Sequence, residues 1–294
     1  MDLLKAGAGR DDDRSAVDTV VEVTLAVPVL ERAVPDLSIA ATDRPLRPGQ
    51  YVYVETHAWW LATHGPHQLL AEHRLRQWVP ADAERDWVLE REVTGAQEWI
   101  KGSAEEALDE GYDLRPAAPV GRFRARHGAF DADLGEFDAD HRPCGRTRRP
   151  RGSWQTPTRE FFGRLPRDPE TLVRRLREEN TGSWFGPFAA GVTALRTCLV
   201  PADLRAALCL ALACLPGVRA VEGVENIDGV ACLALVHDAG RTRTELMLSP
   251  VDGQFAGERD TVRTGSRAGL AAGTVISSTA VRTAVVDAEG ALPA

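Results

Sequence analysis

The strongest hydrophobic pattern in the chain is a run without polar relief. From Leu204 to Leu215 every residue after Arg205 is leucine, alanine or cysteine. A helix that is apolar on all sides must be buried on all sides. Pro201-Ala202-Asp203 opens the run and Pro216-Gly217 closes it. It is too short to cross a bilayer, which takes about 20 apolar residues. The pattern predicts a central core helix that the rest of the chain wraps.

Strand-like patterns lie on both sides of this helix. Pro48-Gly49 makes a turn, and the aromatic and β-branched residues from Gln50 to Glu55 read as a strand. Arg74–Pro80 and Trp87–Val93 alternate polar and apolar as antiparallel neighbours do, with Glu98–Ile100 as a further short strand. After the helix, Cys232–Val236, Thr244–Ser249, Gln254–Arg259 and Thr274–Val286 read as successive strands. Turn-like separators such as His237–Gly240 and Pro250–Gly253 make that series an antiparallel meander.

Between the two sets of strands the signals are helical. Thr156-Pro157-Thr158 starts a short helix through Phe161 and Phe162. Asp168-Pro169 is an N-cap followed by proline in the first turn, with Leu172, Val173 and Leu176 as the apolar face. A third helix is expected from about Pro187 to Leu199. Earlier, Ser103 and Glu106 form a capping box for a brief helix. Strands, helices, then strands predict an α+β class. The expected architecture is a curved antiparallel sheet, half-barrel-like, wrapped over a buried helix, with additional helices between two sets of strands.

Residues 1–18 read as a disordered acidic tail and 19–46 as an irregular helical lead-in, broken by Pro28 and Pro35. Residues 47–294 read as a single α+β domain. Periodicity fades between 115 and 152, where five acids (Asp131 to Asp140) precede five arginines (Arg142 to Arg151). Opposite charge blocks of this kind predict a flexible charged loop; a second reading of the arginines is a patch for anionic lipid or phosphate.

Composition narrows the chemistry. A net charge of −8 and a pI near 5.5 speak against a nucleic-acid partner. The start of the chain lacks the apolar stretch of a signal peptide, and the run from Thr19 to Leu30 is interrupted by Glu22 and Pro28. The chain is therefore expected to be soluble as written. Cys144, Cys198, Cys209, Cys214 and Cys232 contain no CxxC pair, and small buried apolar roles are expected of them. His57, His64, His67 and His73 are the best metal candidates, but Gly65-Pro66 interrupts them and no carboxylate or cysteine completes a set. They are expected in a polar hairpin loop. GxSxG and GxxxxGK are absent, so no catalytic residue, metal or cofactor is assigned.

Several stretches together resemble a family of uncharacterised actinobacterial membrane-anchored envelope proteins. These are Arg47–Val54, Arg76–Pro80, Arg151–Gln155, Leu165–Pro169, Leu199–Arg205, Leu215–Val218 and Gly273–Ser278. The resemblance covers most of the chain from Arg47 onward. It implies an outer domain similar to the lipoprotein-carrier and sigma-regulator half-barrel, encoded near extracytoplasmic-function sigma factors. It also implies an extracytoplasmic, membrane-associated location through an anchor that this chain lacks.

The expected function is a non-catalytic envelope-associated domain that binds or senses an apolar or lipid-like ligand, or a signalling partner. The alternatives are a cytoplasmic protein-interaction domain without ligand, and a hydrolase. An apolar ligand would be lined by Tyr53, Trp78, Trp99, Trp154, Leu208 and Leu212.

Overall fold

The computed structural model describes residues 21–24, 38–116, 118–128, 130, 152–180, 186–265 and 269–293. The acidic tail at 1–18, the acid and arginine blocks at 131–151, Cys144 and Trp184 lie outside the described residues.

The fold is α+β, a curved antiparallel sheet of nine strands that does not close. Its N-terminal meander is β3 (Tyr51–His64), β4 (His67–Pro80), β5 (Asp86–Lys101) and β6 (Gly121–Arg126). A short helix α1 (Ala104–Asp109) joins the last two. The C-terminal meander is β7 (Val218–Glu225), β8 (Ala231–Ala239), β9 (Thr242–Leu248), β10 (Phe255–Val262) and β11 (Val275–Val286). The strand order is β6-β5-β4-β3-β11-β10-β9-β8-β7, so the two meanders meet where β11 pairs with β3. Between them come α2 (Arg159–Gly163), α3 (Pro169–Asn180), α4 (Gly186–Arg196) and α5 (Ala202–Ala213).

Local signals behave as the sequence predicts. Ser103 caps α1 by accepting from the Glu106 N–H, and Asp168 accepts from the Thr171 N–H ahead of α3. The apolar run forms α5, in which Leu204, Leu208, Leu210 and Leu212 have no exposed surface. It packs with Leu172 and Leu176 of α3, Leu195 of α4, and the inward residues Val54, Leu235, Leu246 and Phe255 of the sheet. Gly191 lets α4 approach closely, since a Cβ there would lie 2.5 Å from Leu212. Among the described residues no helix is long and apolar enough to cross a membrane.

Three expectations are corrected. The lead-in at 19–46 is not helical where it is described: β1 (Val21–Thr24) pairs antiparallel with β2 (Ser38–Ala41). Its β-branched content, Val21, Val23, Thr24 and Ile39, favours that conformation. The loop expected at 115–152 contains β6, whose Phe123 and Ala125 face the Leu89 side of β5 while Arg122 and Arg124 face away. Its six-residue alternation is hidden among arginines. The hairpin loop expected to hold the histidines shrinks to Gly65-Pro66, and all four histidines lie in strands.

Cys198 and Cys209 are buried, and burial pushes both thiols from 9.0 up to about 12. Their unfolded thiols titrate near the ordinary value, so their contribution to stability is complete below about pH 9. It is lost as pH rises from 9 towards 12. At pH 8 a disulfide-exchange reagent should leave both unreacted in the native protein and react once guanidinium unfolds it. Fast native reaction of either thiol would contradict the buried placement.

Candidate functional site

The six residues expected to line one hollow do not converge. Tyr53 and Trp78 are buried on the sheet face away from α5, with ring centroids 5.5 Å apart. Strand alternation puts them there, because Val52 and Val54 face the helices. The C-terminal segment covers them, and the Trp78 indole N–H donates to the Ala291 carbonyl at 2.8 Å. Trp154 lies on the helix side against Phe161, donating to Glu179 at 2.6 Å. Leu208 and Leu212 are core. Trp99 is half-buried at the far end of β5, opposite Leu69. Helix α5 fills the space that a ligand would have taken.

His64 and His67 pair across the β3–β4 hairpin, and the other two histidines lie apart from them. His67 meets Glu110 at 3.1 Å beside α1. His73 packs against Trp60 and burial lowers its pKa. His57 lies on the opposite face of the sheet from His73, since their registers alternate. Among the described residues no group of three or more His, Cys, Asp or Glu side chains is placed to hold a metal.

His57 nevertheless occupies a distinctive position. Its Nε2 lies 2.7 Å from Glu72 on β4 and its Nδ1 lies 2.6 Å from Asp228 in the β7–β8 turn. The ring thus bridges two carboxylates from distant parts of the chain. Glu72 also accepts from the Thr94 hydroxyl, which leads the lowering of its pKa, with His57 adding to it. This clasp brings the β7–β8 turn across the sheet face to β3.

The clasp borders an opening in the sheet. β10 pairs with β11 only from Arg259 to Thr261, against Val275 to Ser278. The Glu258 N–H then turns to the Thr279 hydroxyl at 2.9 Å, ending the ladder. At Gly257, with φ +146°, a Cβ would lie 2.2 Å from the Thr279 carbonyl oxygen, so the strands touch there without side-chain room. Beyond this crossing they diverge: Phe255 stays paired with β9, and β11 stays paired with β3 as far as Val286. Among the described residues no strand pairs with the other edge of β11 from Ala280 to Val286.

Two cavities abut that edge. One, of about 440 Å³, lies on the face away from the helices beside His57, Arg74 and Asp228. The other, of about 360 Å³, lies on the helix side beside Val52, Phe162, Leu199 and Val200. They share Asp252, Gln254 and Thr283. Ala280 to Thr283 line the first in unbroken succession, as do Gln254 to Ala256 opposite. Successive strand residues point to opposite faces, so this cavity meets the strands along their edges. The Gln254 Oε1 is buried between the two cavities and has no hydrogen-bond partner among the described residues.

The helix-side wall is tied by one buried arginine. Arg205, 1% exposed, donates to the Asp43 carboxylate and to the carbonyls of Val200, Thr42 and Asp252. Asp43 also accepts from the Ala202 N–H at 2.7 Å, capping α5 from a distant segment. Sequence reading missed Asp43, Arg205, Asn226, Asp228 and Gln254. The one local hint was the turn-forming Asn226-Ile227-Asp228-Gly229, which says nothing of a contact with His57, 171 residues away.

No family model, curated protein or solved structure matches the chain.

Proposed function

We propose that this protein is a non-catalytic binding module whose ligand seats in the seam between β10 and β11. The observation that carries this is that, among the described residues, no strand pairs with the outer edge of β11 from Ala280 to Val286, while a cavity lies against each side of it. The ionisable groups beside it are engaged with one another: His57 with Glu72 and Asp228, and Arg282 with Glu55. That supports recognition over proton transfer. Within the proposal, the setting is the one the family resemblance implies, an envelope-associated sensing domain. The ligand seat moves from the helix-filled interior to the seam.

Fragment screening by two-dimensional NMR tests the location. Fragment-induced shifts should cluster at residues 254–256 and 280–285 and vanish in Thr283→Trp, whose indole would fill the space both cavities share. Shifts scattered elsewhere, or unchanged by the tryptophan, would remove the seam as the binding site.

A further inference from the structure

We infer that the seam takes an extended polypeptide segment of another protein, added as a strand along the free edge of β11. The inference rests on the binding-module reading above and assigns the ligand class. An antiparallel strand turns the N–H and C=O of alternate residues to each side. From Ala280 to Val286 one side is taken by β3 and the other meets the cavities. An incoming backbone is the partner whose donors and acceptors repeat at that spacing.

The outermost strands make an instructive contrast. β6 carries Arg122, Arg124 and Arg126, and β7 carries Arg219 and Glu222. Charges of this kind blunt a sheet edge against unwanted pairing. The seam edge of β11 reads Ala-Val-Arg-Thr-Ala-Val-Val, and its one charge, Arg282, is turned onto Glu55. The edge inside the sheet is the unguarded one.

The two cavities then set the side-chain pattern of the guest. Residues of an added strand alternate between faces. Those pointing to the helix side meet Val52, Phe162, Leu199 and Val200, and would be apolar. Those pointing to the other side meet His57, Arg74 and Asp228, and would be polar or charged. Gln254 offers a buried acceptor to a peptide N–H. An alternating amphipathic strand matches this lining, whereas a lipid chain offers no donor to the Gln254 acceptor.

The test is panning a phage-displayed library of random linear heptapeptides on the intact protein, with Thr283→Trp as the counter-screen. Enriched peptides should alternate apolar and polar residues and lose binding to the tryptophan variant. In a synthetic copy, N-methylation at alternate positions should abolish binding, while methylation at the intervening positions preserves it. That readout leaves the protein unaltered, so it stands even if Thr283→Trp fails to fold. Hydrogen exchange at 280–285 should slow on peptide binding. Equal binding of every N-methyl peptide would overturn strand addition. Seam-directed fragment shifts without any enriched peptide would overturn the peptide class and keep the binding module; loss of both would remove both. Protection of 280–285 by dimerisation alone would give the edge to a second copy and overturn the inference.

Discussion

A Leu208→Asp protein should fail to fold. Leu208 has no exposed surface and sits mid-helix among Leu204, Leu212 and the residues of α3 and α4. Arg205, one turn earlier, is already held by Asp43 and three carbonyls, and placing an acid in this apolar interior costs about 4 kcal/mol or more. Domains of this kind have about 5–15 kcal/mol of stability in total. Leu208→Ala is the informative companion, because it removes packing without adding charge and should cost about 2–5 kcal/mol. The expected pattern is a soluble alanine variant with a lowered, cooperative melting transition by circular dichroism, and an aspartate variant found insoluble or unfolded. An aspartate variant that melts near the wild-type temperature would overturn the all-round burial of α5.

Arg205→Met should destabilise the protein by about 3 kcal/mol and loosen one wall of the seam. Methionine keeps the packing of the arginine stem, but the carbonyls of Thr42, Val200 and Asp252 lose the arginine's hydrogen bonds and Asp43 keeps only the Ala202 N–H. Breaking a buried ion pair on one side costs about 3–5 kcal/mol. The Asp43 side chain is 47% exposed and can rehydrate, which places this case at the low end. For a chain of this size that corresponds to a melting temperature roughly 6–12 °C lower. Hydrogen exchange should quicken at 42–46 and 249–254, the segments that Arg205 joins, ahead of the helices. A variant with wild-type exchange in both segments would show that the arginine is not their tie.

The two substitutions differ in how visible they were beforehand. Burial of Leu208 follows from the sequence, because a helix with no polar side can be stable only when covered. The arginine one turn earlier reads as the polar start of that helix. It is buried because Asp43 and two carbonyls from distant segments surround it. The same division runs through the aromatics. Tyr53, Trp78 and Trp154 are recognisable as buried residues, but a reading that groups them in one hollow fails. A strand period of two places Tyr53 and Val54 on opposite faces, and only the register against helices or the C-terminal segment decides which cover each receives.

Local chemistry written in neighbouring residues was legible: the caps at Ser103 and Asp168, the turns between strands, the core helix and the α+β order. The residues of β6 were obscured because arginines outnumber its inward positions, and those of β1 and β2 because prolines break the segment between them. The join of the two meanders through β3 and β11 was not legible, since it pairs residues more than two hundred positions apart. The seam follows from that join. β11 is held to β3 along its length and to β10 only as far as the contact at Gly257, so the opening between them is a product of two competing pairings. The sequence by itself determined which segments are strands, helices and core, because hydrophobic period and capping act within a few residues. Only the tertiary structure decided where an edge was left free and what lines it, because that depends on distant strands sharing one neighbour.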